Sequence, residues 1–248
     1  MPYDNSFRRL WAAAGYRTDL GSAATGEPPS PEFIRLYHLN SAEHAISNIQ
    51  NTRLKIARFE DLKDPFEFRA LEFRDSIVRT VVKNFGAEFG RTTGLLCFSE
   101  DWTSPVMWSH YAAGHCGMCL GFDVRRSAVR RVLYKSKRLQ AALGDSDDPF
   151  TLSPAMRLVL VRTKCREWGY ERERRMLVPL KMAIEDNGLL FRPLDERLQL
   201  REVIIGSKCE MSFEDILEKA GRHPNVRVFK SRLAWNHFKV VPVESSVP

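Results

Sequence analysis

Long apolar runs are missing from this sequence. Crossing a bilayer as a helix requires about 20 consecutive, mostly apolar residues, and no segment of the chain meets that condition. The first ten residues, MPYDNSFRRL, also lack the apolar core of a secretory signal peptide. We therefore expect a cytoplasmic protein that has no membrane partner.

Cysteine is scarce and odd in number. The chain has 5 cysteines, of which Cys97 and Cys119 lie in apolar segments typical of strands. Reduced, mostly buried thiols are therefore expected, and not a disulfide framework. Cys116 and Cys119 have the Cys-x-x-Cys spacing of a zinc site, with His110 and His115 nearby. No second such pair follows at the usual distance, so no metal is expected.

Two catalytic motifs are also absent. No glycine-rich phosphate loop follows a predicted strand, which disfavours the common nucleotide-binding folds that depend on such loops. No Gly-x-Ser-x-Gly segment is present, so a serine nucleophile on a strand-to-helix turn is poorly supported.

The charge balance is moderately basic. Lysine and arginine number 38 against 31 aspartates and glutamates, giving a net charge of +7. This excess favours an anionic partner such as a nucleotide, a nucleic acid or an acidic surface. The basic residues form no long unbroken run, which argues against a disordered nucleic-acid-binding arm. A mixed surface that serves only solubility is the alternative.

The order of the apolar patterns predicts the fold class. With 248 residues and 44% hydrophobic content, the chain can bury a substantial core. Residues 1–31 are rich in glycine and proline and are expected to form a flexible N-terminal arm, and residues 32–248 a single domain. Strands are predicted at 33–39, 53–59, 95–99, 117–123, 129–134, 203–206, 226–229 and 238–241. Helices are predicted at 42–49, 71–85, 105–114, 153–165 and 212–220. Because helices and strands do not strictly alternate, we predict an α+β fold with mixed or antiparallel sheets and flanking helices.

The segment 168–178, WGYERERRMLV, contains the densest group of polar and aromatic residues. Read as a strand, it places Glu171, Glu173 and Arg175 on one face, because successive side chains alternate. Two carboxylates on one face repel each other. They indicate either a solvated face on which the glutamates pair with arginines, or a site that binds a ligand, a metal or a basic partner.

Several segments, taken in order, resemble one family. They are LYH at 36–38, LKDPFE at 62–67, LCFSE at 96–100, MWSHYA at 107–112, 117–123, and WGYERERR at 168–175. Over residues 33–235 the chain resembles the bacterial domain of unknown function 2971. That resemblance implies little established chemistry.

A second resemblance concerns the ADP-ribosyltransferase superfamily. The chain resembles that superfamily in having a histidine in an opening strand, then a helix, a second strand and a late Glu-x-Glu. This resemblance implies the fold of the superfamily and NAD as substrate. By this likeness His38 contacts the adenosine ribose or the nicotinamide amide. Glu173 hydrogen-bonds the nicotinamide ribose, and Glu171 faces the acceptor. A fixed carboxylate would stabilise the oxocarbenium character that develops when the glycosidic bond breaks.

The expected catalytic residues are thus Glu173, Glu171 and His38. A polar and aromatic group on the predicted helix 105–114 extends the site, since a core does not require its histidine. The expected nucleotide-binding residues are Tyr37, Trp108, His110, Tyr111, Tyr170 and Arg175. The biological setting suggested by analogy is bacterial defence or stress.

Two other functions stay open on the residues alone. Asp64, Glu171 and Glu173 are compatible with a metal-dependent nuclease, because paired carboxylates can hold Mg²⁺. The second open function is that of a non-catalytic module that binds nucleic acid or a nucleotide. It would stack bases on tryptophans beside arginines, and the candidates are Trp102, Trp108, Trp168 and Trp235.

Overall fold

Short strands with alternating side chains make up most of the fold. The computed structural model describes residues 29–72, 76–139 and 152–243. The strands are β1 (Phe33–Asn40), β2 (Arg53–Lys55), β3 (Thr93–Ser99), β4 (Met118–Arg125), β5 (Arg130–Arg131), β6 (Leu133–Lys135), β7 (Thr163–Cys165), β8 (Glu173–Pro179), β9 (Ile184–Asp186), β10 (Leu189–Pro193), β11 (Leu198–Ile205), β12 (Arg227–Leu233) and β13 (Val240–Pro242). The helices are α1 (Ala42–Gln50), α2 (Ser76–Thr92), α3 (Pro105–Tyr111), α4 (Pro154–Arg162) and α5 (Phe213–Ala220).

The main sheet has 8 strands in the order β13-β12-β11-β4-β1-β3-β8-β5. Within it only β11 and β12 are parallel, and the other neighbours are antiparallel. Two smaller sheets, β2-β10-β9 and β6-β7, lie beside it. The prediction of a single α+β domain with mixed sheets and flanking helices is therefore confirmed.

Helices α1 and α5 cover one face of the main sheet. Ser41 caps α1 by accepting a hydrogen bond from the backbone N–H of His44. The apolar residues of α1 recur with helical spacing, and Ile49 is buried against the same cluster as Ile216 of α5. Burying one such side chain contributes about 1.5–3 kcal/mol, so this helix pair anchors the centre of the sheet.

Helix α3 covers part of the other face. Ser104 accepts from the backbone N–H of Met107, and Pro105 occupies the first turn, as the sequence predicts. Trp108 is fully buried in a cluster with Tyr37 of β1, and its indole N–H donates to the backbone carbonyl of Trp102 at 2.6 Å. This helix therefore fixes the wall of the sheet next to β1.

Several predicted boundaries are wrong. The helix predicted at 105–114 ends at Tyr111, because Ala113 and Gly114 take left-handed conformations with φ of 48° and 64°. The helix predicted at 71–85 is described from Ser76 to Thr92, and Leu71, its predicted first residue, instead forms an extended bridge with Leu139. The helix predicted at 153–165 ends at Arg162, since the next three residues pair with β6 as β7. The strand predicted at 53–59 ends at Lys55 and gives way to a 3₁₀ turn.

No helix within the described ranges is long and apolar enough to cross a membrane. Residues 1–28 of the predicted arm lie outside the described residues.

A close backbone approach at Gly117 provides a test of the packing. A Cβ atom there would lie 2.0 Å from the backbone oxygen of Asn40, so we expect Gly117→Ala to lower the free energy of unfolding by about 2–4 kcal/mol. A Cβ at Gly86 in α2 meets nothing within 4 Å, and Gly86→Ala is expected to stabilise by about 0.5–1 kcal/mol. Urea unfolding measures both, and equal effects would contradict the packing described.

Candidate active site

The main sheet opens between two of its central strands. Strand β1 pairs with β4 at every position from Phe33 to Asn40, but it pairs with β3 only where Tyr37 lies opposite Ser99. Strand β3, in turn, pairs with β8 along its whole length. On either side of that single pair, β1 and β3 are not joined by ladder hydrogen bonds, and side chains can occupy the gap.

A cavity of about 210 Å³ lies at this opening. Its walls come from β1, β3, α3, β7, the start of β8 and the 3₁₀ turn that precedes α2 in the chain. The polar side chains that line it are Tyr37, His38, Asp61, Lys63, Ser99, Tyr111, Lys164, Glu171 and Glu173.

The imidazole of His38 is held in one tautomer. Its Nδ1 lies 2.8 Å from the backbone carbonyl oxygen of Cys97, and because a carbonyl only accepts, Nδ1 carries the proton. Burial lowers the pKa of His38 more than this hydrogen bond raises it, so the ring is neutral at pH 7. No hydrogen bond reaches its Nε2 from the residues that the structure describes, which leaves a lone pair available to a ligand.

The two glutamates do not share a strand as predicted. Residues Arg166–Glu171 form a 3₁₀ helix, Arg172 takes a left-handed conformation with φ of 45°, and β8 begins at Glu173. The backbone reverses locally at Arg172, so Glu171 lies outside the alternation of β8. Glu173 and Arg175 do share a face, as expected.

Lys164 of β7 joins the two carboxylates. Its Nζ lies 2.6 Å from Glu171 Oε2 and 3.4 Å from Glu173 Oε2. Burial alone would lower the pKa of Lys164, but the neighbouring glutamates outweigh it and raise that pKa, so the amine stays charged. The repulsion that the sequence indicated between the two glutamates is thereby offset. Sequence reasoning missed Lys164, because the pattern placed it at the end of a helix.

Arg175 lies behind the wall of the cavity. It is 1% exposed and donates to Glu173 Oε1 at 2.8 Å, to both carboxylate oxygens of Glu67 at 2.5 and 2.9 Å, and to the backbone carbonyl of Val161 at 2.7 Å. It does not line the cavity. The structure therefore places Arg175 in support of Glu173, where the sequence had it binding a nucleotide.

Glu173 is ionised within this group. Burial would raise its pKa, but the charge and hydrogen bonds of Arg175, together with Lys164, lower it to about 2. The group as a whole contains Glu67, Glu171 and Glu173 against Lys164 and Arg175. Three carboxylates and two cations leave one excess negative charge beside the cavity. The sequence offered a solvated face with glutamates paired to arginines as one interpretation: the solvation is wrong, since both glutamates are 4% exposed, but Glu173 does pair with Arg175.

Tyr111 fixes the other oxygen of Glu171. Its hydroxyl donates to Glu171 Oε1, and Lys63 stands over the tyrosine ring at 4.1 Å. Burial, followed by the hydrogen bond to Glu171, raises the pKa of Tyr111, so the hydroxyl keeps its proton. Glu171 is thus held from two sides at the cavity wall.

The remaining predicted residues lie elsewhere. Trp108 is fully buried and stacks on His115 at a centroid distance of 6.0 Å, so it belongs to the core. His110 is exposed, and its Nδ1 lies 3.1 Å from the hydroxyl of Tyr170, but neither residue lines the cavity. The cavity brings together Tyr37, His38, Tyr111, Glu171 and Glu173, and adds Lys164.

No group of three or more His, Cys, Asp and Glu side chains in the described ranges is arranged to hold a metal ion. All five cysteines are free; Cys116 is exposed and Cys119 lies buried in β4. The carboxylate of Asp64 accepts from the backbone N–H of Phe66 at 2.8 Å, as in a turn.

Comparison of the chain with protein-family models, curated proteins and solved structures finds no match.

Replacing Glu173 by glutamine tests its depressed pKa. The ionised carboxylate contributes stability above pH 4.5, its unfolded pKa, and this is lost as the pH falls toward about 2. The shift corresponds to about 3 kcal/mol. We expect Glu173→Gln to lower the free energy of unfolding in urea by about that amount at pH 7 and by about half of it at pH 3. Exposed Glu185→Gln should change neither value, and an equal loss at both pH values would contradict the assignment.

Arg175→Gln tests whether this arginine supports the site. Removing it leaves Glu67 and Glu173 buried without their main partner, so we expect a loss of about 3–5 kcal/mol in the free energy of unfolding. The neighbouring Arg174 makes a more exposed ion pair with Glu100, and Arg174→Gln should cost about 1 kcal/mol or less. Chemical denaturation compares the two variants. Similar small losses would show that Arg175 is not a structural residue.

Proposed function

We propose that the cavity binds the nicotinamide end of NAD and that the protein cleaves the bond between nicotinamide and ribose. The observation that carries this proposal is the pair of glutamates, Glu171 and Glu173, held in one cavity with the neutral imidazole of His38. The reaction needs a fixed negative charge beside the ribose and a group that orients the departing ring.

The charge of the cavity suits this reaction. The nicotinamide ring of NAD is cationic, and the ribose carbon gains oxocarbenium character as the ring leaves. The lining residues include Asp61, Glu171 and Glu173 against Lys63 and Lys164, so the carboxylates outnumber the cations. Carboxylates fixed in a poorly hydrated site stabilise developing positive charge more strongly than they would in water.

The size of the cavity limits what enters it. At about 210 Å³ it is smaller than the pockets of about 300–1,000 Å³ that enclose drug-sized ligands. It suits one ring with its sugar, and the rest of the dinucleotide would lie outside. The free Nε2 of His38 would accept a hydrogen bond from the carboxamide of the ring or from a ribose hydroxyl.

Glu171 would serve the acceptor. As the C–N bond breaks, its electron pair stays on the nicotinamide nitrogen, and the acceptor oxygen or nitrogen bonds to the ribose carbon. Glu171 would take the proton that the acceptor loses, as a general base. Tyr111 and Lys164 position its carboxylate for that role. With water as acceptor the reaction is NAD hydrolysis, and with a macromolecule it is ADP-ribosylation.

The resemblance to the ADP-ribosyltransferase superfamily supports the same proposal, whereas the resemblance to the bacterial domain of unknown function 2971 implies little chemistry of its own. They suggest a role in bacterial defence or stress, by analogy alone.

Incubation of the purified protein with NAD, alone and with DNA, RNA or cell lysate, tests the function. We expect nicotinamide release, detected by mass spectrometry, to fall about 10²–10³-fold in Glu173→Gln because the stabilising charge is lost. Exposed Glu185→Gln should keep wild-type activity. The absence of release by folded wild-type protein under every condition would refute the proposal.

A variant that leaves the buried ion pairs intact distinguishes a loss of catalysis from a loss of folding. Tyr111→Phe removes one hydrogen bond to Glu171 and no charge, so we expect a drop in kcat/KM of about tenfold with unchanged circular dichroism. If the single variants Tyr111→Phe and Glu171→Gln both kept full activity, Glu171 would have no role in the mechanism.

A further inference from the structure

A second cavity, of about 320 Å³, shares Lys164 with the first. Its wall comes from the segment after Pro65, the end of β6 with the residues that follow it, and β7. The described charged residues that line it are Arg69, Lys135, Lys137, Arg138 and Lys164, and no carboxylate lies among them. It is therefore basic, in contrast to the cavity that holds the glutamates.

Most of the basic side chains that line this cavity have no acidic partner among the described residues. Across residues 29–72, 76–139 and 152–243, no ion pair involves Arg69, Lys135 or Lys137. All three are exposed. Arg138 stands over the ring of Phe66 at 5.4 Å. Several cations around one concave surface repel one another and attract an anion, since the concavity concentrates their field.

A buried hydroxyl at the cavity wall is also unsatisfied. Thr163 lines the cavity and is 4% exposed, and its Oγ1 has no hydrogen-bond partner among the residues that the structure describes. A buried hydroxyl without a partner costs about 1–3 kcal/mol, so such groups in native proteins call for an explanation. An oxygen of a bound anion would accept its hydrogen bond.

We propose that this basic cavity binds a phosphoryl group. Phosphate oxygens accept several hydrogen bonds at once and carry the charge that lysine and arginine side chains recognise. The same chemistry occurs in a free diphosphate and in a nucleic-acid backbone, and the cavity supplies cations and a hydroxyl for either. The site stands on its own residues, and it does not require that the first cavity cleave NAD.

Binding of two probes to the full chain tests the site. Inorganic pyrophosphate is titrated by calorimetry, and a short single-stranded DNA by fluorescence anisotropy, both at about 50 mM salt. The double variant Lys135→Gln/Lys137→Gln removes two exposed charges of the cavity, and we expect about tenfold weaker binding. The matched control is Lys230→Gln/Lys239→Gln, which removes two exposed charges at the far end of the sheet and should change affinity by about twofold at most.

A variant without a charge change separates a built site from general attraction. Thr163→Val removes only the hydroxyl, and we expect affinity to fall about three- to tenfold while stability is kept or raised. Pyrophosphate binding that is lost in the cavity variants supports a free diphosphate ligand, and loss confined to the DNA supports a nucleic-acid backbone. The proposal is overturned if neither probe binds the wild type, or if the control weakens binding as much as the cavity variant does.

Discussion

Two buried cations hold three buried carboxylates in this protein, and the geometry of the first cavity depends on that group. Taking each charge out of water costs several kcal/mol unless a partner is positioned beside it. Arg175 meets this condition by donating to Glu67 and Glu173 at once, and Lys164 by bridging Glu171 and Glu173. The partners come from β7, the 3₁₀ helix Arg166–Glu171, β8 and the segment before α2, so the same contacts that neutralise the charges also join separate parts of the chain.

The opening in the sheet and the ion group occupy neighbouring positions for a structural reason. Ser99 pairs with Tyr37 on one side and with Glu173 on the other, so the three residues form one row across β1, β3 and β8. The hydroxyl of Ser99 also donates to the backbone carbonyl of Glu171 at 2.7 Å. The single pair that joins β1 to β3 therefore lies next to the glutamates. Where β1 and β3 are not paired, the imidazole of His38 donates to the backbone carbonyl of Cys97. This one hydrogen bond satisfies the backbone carbonyl and also orients the side chain of His38, a candidate catalytic residue.

Local chemistry made much of the fold predictable. The cap Ser104 with Pro105 fixes the start of α3, and the periodic apolar residues after Ser41 fix α1, because caps and helical spacing involve residues only a few positions apart. Glu67 and Arg175 lie 108 positions apart, and no periodicity relates them. The left-handed conformation of Arg172 was also beyond prediction, since such a conformation is most common at glycine and asparagine. Glu171, Glu173 and His38 could be found because their residue types are chemically conspicuous, whereas Lys164 sits in a short stretch that looks like the end of a helix.

Lys164 lines both cavities, and their charges are opposite. In the first cavity its ammonium group is paired with Glu171 and Glu173. In the second cavity the described lining residues include other cations but no carboxylate. A ligand that carries a positive ring and a negative phosphoryl group would match both charges at once, whereas a purely anionic ligand would match only the basic cavity. Under the proposed function, NAD has this distribution, with a cationic nicotinamide and a diphosphate. The two sites nevertheless rest on different residues, so either can exist without the other: the ion group would still stabilise the fold if no glycosidic bond were cleaved, and the basic cavity would still attract phosphate.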